Sequence, residues 1–215
     1  MWGRISRPFG YIQVDELANY EAFINSTYRA GRLVGHSLPV TPIQVSHGDT
    51  IQTDFSGNKG GLLMFFEPMS CQPCMELLFR TLQHIHSNLK DPVEFPIYGI
   101  ALNFSSKGLS DYERAFKLKY QLGAPLQEDA LPHHLVEHTP IVFLVDSNNT
   151  ILQCHSPVTG KEQFSAYFFY ELVFNRLPFL EVNIEEFEDS PLRELKGKAV
   201  LEVVKGNYGR DSLLW

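Results

Sequence analysis

Apolar positions recur along this chain with two different periods, and their alternation predicts a layered α/β fold. Over residues 14–30, Leu17, Tyr20, Ile24 and Tyr28 fall at steps of three and four behind Asp15 and Glu16, the pattern of an amphipathic helix. Gly31, Gly35 and Pro39 break it, and residues 43–55, with Gly48-Asp49 inside, read as a small hairpin. After the turn Asn58-Lys59-Gly60-Gly61, residues 62–66 are apolar at every position. Such a run suits a central strand covered on both faces. From Met75 the period changes to that of a helix, through Leu78, Leu82, Ile85 and Leu89, and Lys90-Asp91-Pro92 ends it.

Residues 93–102 predict a second strand, with Pro96 at its start. Ser110 and Glu113 have the spacing of a capping box, opening a helix through Tyr112, Phe116 and Tyr120 that Gly123-Ala124-Pro125 stops. A polar, His-rich segment follows. Residues 141–145 are a further buried strand, joined by the turn Asp146-Ser147-Asn148-Asn149 to residues 151–154, an antiparallel hairpin. A last helix is expected over residues 164–176, its dense aromatic set (Tyr167, Phe168, Phe169, Tyr170, Phe174) serving as core. The order β, α, β, α, β, β, α predicts a mixed sheet flanked by helices. The expected organisation is an N-terminal arm with the amphipathic helix (1–34), a domain over 35–178 and a C-terminal extension (179–215) with an acidic patch at Glu181, Glu185, Glu186, Glu188 and Asp189.

Composition narrows the function classes. The 215 residues are 44% hydrophobic, enough for one well-buried core. Lys and Arg number 18 against 25 Asp and Glu, a net charge of -7 with no long basic stripe, so no nucleic-acid partner is expected. No stretch approaches the roughly 18 apolar residues of a membrane span, and the first eight residues lack the apolar core of a signal peptide. A tether or targeting segment, if the parent protein has one, is expected outside this chain. Three cysteines do not make a disulfide scaffold.

Two of those cysteines carry the chemistry. Cys71 and Cys74 stand at C-x-x-C spacing between the buried strand and the long helix. That places Cys71 at the helix N-cap and Cys74 one turn inside, on the same face, where the two sulfurs can close a disulfide. The unpaired amides and the dipole at a helix start favour an anion, so Cys71 is expected to be the thiolate nucleophile and Cys74 the resolving thiol. Pro73 fits a first-turn position, which needs no amide donor. A buried thiol pair or half a zinc site is the bland alternative, but no second C-x-x-C supplies further ligands. Cys154, alone on the hairpin, reads as a small half-buried hydrophobe.

The stretch from Gly35 to about Leu177 resembles the TlpA-like thiol:disulfide oxidoreductases of the thioredoxin superfamily. The resemblance is carried by Gly35-His36-Ser37-Leu38-Pro39, the strand before the cysteines and Cys71-Gln72-Pro73-Cys74. Tyr112-Glu113-Arg114-Ala115-Phe116 through Gly123-Ala124-Pro125, and Thr139-Pro140-Ile141-Val142-Phe143-Leu144-Val145-Asp146, add to it. It implies a thioredoxin-like fold and exchange of electrons with protein thiols and disulfides, with no cofactor. Pro140 would be cis and face the cysteines, the Thr139 backbone would hold an extended substrate, and Gln72 and Pro73 would contact it. The resemblance also implies an extracytoplasmic location, with a cytoplasmic one as the alternative.

The chain also departs from that pattern. Ser70, not Trp, precedes Cys71; Glu67-Pro68-Met69 fills the loop; and Phe65 stands where thioredoxin buries an acid. Glu67 is therefore a candidate for proton handling, with a solvated loop acid as the plainer reading. Two other functions stay open. Cys71, Cys74 and His138, with His133 and His134 nearby, are a donor set suited to copper(I) delivery, although copper-delivering relatives place three residues between their cysteines. A non-enzymatic docking domain is the other. A peroxiredoxin-type peroxidase does not fit, because Met64 and Pro68 occupy its motif positions.

Overall fold

The computed structural model describes residues 5–7, 10–12, 31–69, 71–127, 131–137 and 139–157, with Phe168 and Leu172. The helices expected over 14–30 and, Phe168 and Leu172 aside, over 164–176 lie outside them, as do the C-terminal extension, Ser70 and His138. Near the N-terminus, β1 (Ile5–Arg7) and β2 (Gly10–Ile12) pair antiparallel.

Seven strands form the central sheet: β3 (Pro42–Val45), β4 (Thr50–Gln52), β5 (Gly61–Phe66), β6 (Ile97–Ala101), β7 (Gln121–Pro125), β8 (Ile141–Val145) and β9 (Ile151–His155). Their spatial order is β4-β3-β7-β6-β5-β8-β9. The strands β5, β6 and β7 run parallel, and β8 and β3 border them antiparallel, so the sheet is mixed as expected. Every residue of β5 and β8 is buried, because both faces of the sheet are covered. Leu62, Met64 and Phe66 point to one face, against Met75, Leu78, Phe79, Leu82 and Ile85 of the helix α1 (Gln72–Asn88). Leu63 and Phe65 point to the other, with Leu33, Leu38, Phe55, Leu131 and Leu135. Phe168 and Leu172, four residues apart and both helical, pack on the α1 side, which places Phe168 of the aromatic run in the core.

The chain departs from its sequence pattern between residues 105 and 125. A 3-10 turn (Ser106–Gly108) leads into α2 (Leu109–Phe116), with Gly108 at the N-cap and no side-chain cap. Ser110 and Glu113 do not form the expected box. Ser110 Oγ donates to the Lys107 carbonyl, and the Glu113 carboxylate accepts from Ser46 Oγ at 2.6 Å. A bond between distant segments has displaced the local one.

The helix also stops short of Tyr120, at Lys117 in a left-handed conformation (φ 52°), and Gly123-Ala124-Pro125, expected as a helix stop, belongs to β7. Gly and Pro are poor strand residues. Here Gly123 is required by close approach, since a Cβ at this position would lie 2.6 Å from Ile43 Cδ1 on β3. A further helix, α3 (His133–Val136), is a single turn in the His-rich segment.

Candidate functional site

The long helix begins at the cysteines. Cys71 is the N-cap of α1, Gln72 and Pro73 are its first residues, and the Cys71 carbonyl accepts from the Met75 amide at 3.0 Å. Cys71 and Cys74 are joined by a disulfide, their Cα atoms 5.3 Å apart. Cys71 is partly exposed, whereas Cys74 is 5% exposed and packed with the core. No carboxylate stands in the first turn of α1 to oppose a thiolate there.

Below the pair the helix rests on aromatic rings. The centroids of Phe66 and Phe79 are 5.1 Å apart, those of Phe79 and Phe116 5.0 Å, and Tyr112 lies within 6.3 Å of Phe66, Phe79 and Phe104. Such pairs add about 0.5–1.5 kcal/mol each beyond the area they bury. Tyr112 has a second task, which its place in an amphipathic pattern did not reveal. Its hydroxyl donates to the Pro68 carbonyl at 3.3 Å, and Gln72 Nε2 donates to the same oxygen at 2.9 Å. The loop carrying Cys71 is thus held from α2 and from α1, and the Gln72 side chain is turned back toward that loop.

The Thr139–Pro140 peptide bond is cis. Because Phe65 pairs with Ile141, the residues preceding β8 lie at the same sheet end as the loop that leads from β5 to Cys71. Ser156 Oγ donates to the Pro140 carbonyl at 3.0 Å, anchoring this turn to the end of β9, a contact with no counterpart in the motif itself. Glu67 directly follows β5 and is half-buried; Asn103 Nδ2 donates to its Oε1 at 3.3 Å. Phe65, in the place of a buried acid, packs edge-on against Phe143 at 5.8 Å in the apolar layer.

Beside the disulfide loop an open cleft of about 380 Å³ extends from Glu67 to Thr139, with Leu102, Leu131 and Val136 between them. His133 and His134 are exposed on α3. Among the described residues no group of three or more His, Cys, Asp or Glu is placed to hold a metal ion. Cys154 lies on the edge strand β9, half-buried against the core, and burial pushes its thiol up to about 12. On the same strand His155 is buried and stacked on Phe168 at 4.9 Å, and burial holds its imidazole down at about 3. Among the described residues, no helix is long and apolar enough to cross a membrane.

Comparison with known proteins gives a likeness of fold. No family model matches the chain, and no curated protein does. Among solved structures it is similar to a proposed protein disulfide isomerase of Bacteroides thetaiotaomicron (17% identity, 65% of this chain and 87% of that one, TM-score 0.53). It is also similar to the C-terminal domain of a proposed thiol-disulfide oxidoreductase of the same organism (16%, 64% and 97%, TM-score 0.50). A proposed thiol:disulfide interchange protein of Chlorobium tepidum matches comparably (16%, 64% and 94%, TM-score 0.50). The chain has the thioredoxin-like fold, with a Cys-x-x-Cys disulfide at the tip of the helix that follows its central strand.

Proposed function

We propose that this protein is a thiol:disulfide oxidoreductase acting on the disulfides of other proteins. The observation that carries the reading is the asymmetry of the pair: a partly exposed Cys71 at a helix N-cap, disulfide-bonded to a buried Cys74. In the reduced protein, the Cys71 thiolate, stabilised by the helix start, attacks one sulfur of a substrate disulfide. A mixed disulfide forms and the other substrate sulfur leaves as a thiolate. Cys74 then loses its proton and attacks Cys71 Sγ, closing the intramolecular disulfide and releasing the second substrate thiol. Two electrons and two protons reach the substrate, and a dithiol partner must return them for another cycle.

The Thr139 backbone beside the cis bond is a site for an extended substrate strand, which main-chain hydrogen bonds would hold over Cys71. Gln72 and Pro73 flank that contact, and Glu67, between β5 and the cysteines in sequence, is our candidate for moving a proton during resolution. The resemblance to extracytoplasmic reductants supports a location outside the cytoplasm, which fractionation of the source cells would check. Direction of flow depends on the couple's potential relative to its compartment. A strongly reducing potential would support a reductase, an oxidising one disulfide donation.

Insulin reduction with dithiothreitol tests the chemistry. The wild-type protein should accelerate it and Cys71→Ser should not, while Cys74→Ser should accumulate the mixed disulfide. Equal rates for wild type and Cys71→Ser would sink the proposal.

A further inference from the structure

We infer that the cleft beside the disulfide selects substrates with a lysine or arginine next to the target cysteine, an inference resting on the exchange chemistry above. The cleft opens where β5 and β6 end and β8 is about to begin. Part of its wall is aliphatic: Leu102 and Leu131 are each 8% exposed, and Val136 is half-buried. Glu67 and Glu137 line the same space, one after β5 and the other after α3. Asn103 Nδ2 donates to Glu67 Oε1, which orients that side chain. Among the described lining residues none is Lys or Arg, and His133 is the one titratable nitrogen.

An aliphatic wall beside two carboxylates complements a side chain with a long methylene stem and a cationic head. The stem lies on the leucines while the ammonium or guanidinium reaches the acids. A glutamate in that position would meet two like charges. Thr139 connects the cleft to the reaction: it lines the cleft and precedes the cis bond, so a strand laid along it directs a residue flanking its cysteine into this space. The cleft shares Thr139 with the cis turn, and its charge is opposite to that of the proposed occupant. Because it is open to water, each ion pair is worth only a two- to fivefold preference, roughly.

The test uses peptides of one sequence with the cysteine capped as a mixed disulfide with 2-mercaptoethanol. Lys or Glu is placed in turn at each flanking position, and kcat/KM is measured for reduction by the dithiothreitol-recycled protein. The readout is the Lys-to-Glu ratio within each variant, which cancels any change in the exchange step itself. At one or more positions the wild-type ratio should reach roughly tenfold at low salt. It should collapse toward one in E67Q/E137Q and fall, without vanishing, in about 0.5 M salt, where the Debye length is roughly 4 Å. E76Q, which removes an exposed acid paired with Arg80 on α1, should keep the wild-type ratio and so separate the cleft from the general negative field. A ratio near one at all positions, or one that survives in E67Q/E137Q, overturns the charge selection. Failure to reduce any peptide overturns the exchange chemistry beneath it.

Discussion

Pro68 is buried three residues before Cys71, and its carbonyl oxygen accepts from two side chains, Gln72 Nε2 at 2.9 Å and Tyr112 Oη at 3.3 Å. Either bond alone keeps that oxygen paired. Tyr112→Phe removes only the longer bond and retains the ring contacts with Phe66, Phe79 and Phe104, so it should cost about 0.5–1 kcal/mol. Gln72→Ala removes the shorter one, at about 1 kcal/mol. The double variant leaves the carbonyl without either side-chain partner, and an unsatisfied buried acceptor costs about 1–3 kcal/mol. The two losses together should therefore exceed their sum by about 1 kcal/mol, a coupling within the range of groups sharing a partner. Urea unfolding of the four oxidised proteins at neutral pH measures it. With a slope of roughly 2 kcal/mol per molar urea, the excess appears as about 0.5 M in the midpoint. Losses that add to within about 0.3 kcal/mol would refute the idea that both groups hold one oxygen.

Three further outcomes are expected. With its thiol at about 12, Cys154 is almost wholly protonated at pH 8, so in the reduced, folded protein iodoacetamide should modify it roughly a thousandfold more slowly than in urea, and well behind Cys71, as peptide mass mapping would show. His155 is buried neutral, its imidazole near 3 against an ordinary 6.5, so it is silent above pH 6.5. As pH falls from 6.5 toward 3 the unfolded chain takes up a proton that the folded one refuses, and stability should drop by up to about 1.4 kcal/mol per pH unit. Unfolding curves between pH 7 and 4 should show a shallower slope in His155→Gln, and equal slopes would contradict this. Gly123→Ala should destabilise by about 1–3 kcal/mol through its clash with Ile43, and Ile43→Val, which removes the Cδ1 atom, should recover part of the loss in the same unfolding assay.

The cysteine motif and its setting were legible because their determinants are local. Residues 62–66 are apolar throughout, α1 has a clean helical period, and cysteines three residues apart share one face of a helix. The hairpins of β3 with β4 and of β8 with β9 were readable for the same reason, their turns being written in Gly48-Asp49 and Asp146 to Asn149. The alternating periods also predicted the mixed α/β sheet, whereas the cis bond and the thioredoxin-like form of that sheet were expected from resemblance, since no periodicity specifies either.

Where partners come from far along the chain, the sequence pattern misled or was silent. Ser110 and Glu113 had the spacing of a cap, yet Glu113 bonds Ser46, 67 residues away. Gly123-Ala124-Pro125 had the composition of a helix stop, yet these residues belong to a strand, because β3 and β6 border them and Ile43 leaves no room for a side chain at Gly123. Likewise the joining of Tyr112 to Pro68, of Ser156 to Pro140, and of Glu67, Glu137 and Thr139 into one cleft depends on how strands of opposite direction come to end side by side. Local periodicity and spacing determined which residues could react. The tertiary structure decided what surrounds them, because a hydrogen-bond partner or a cleft wall is set by distance in space, which a single chain's pattern does not record.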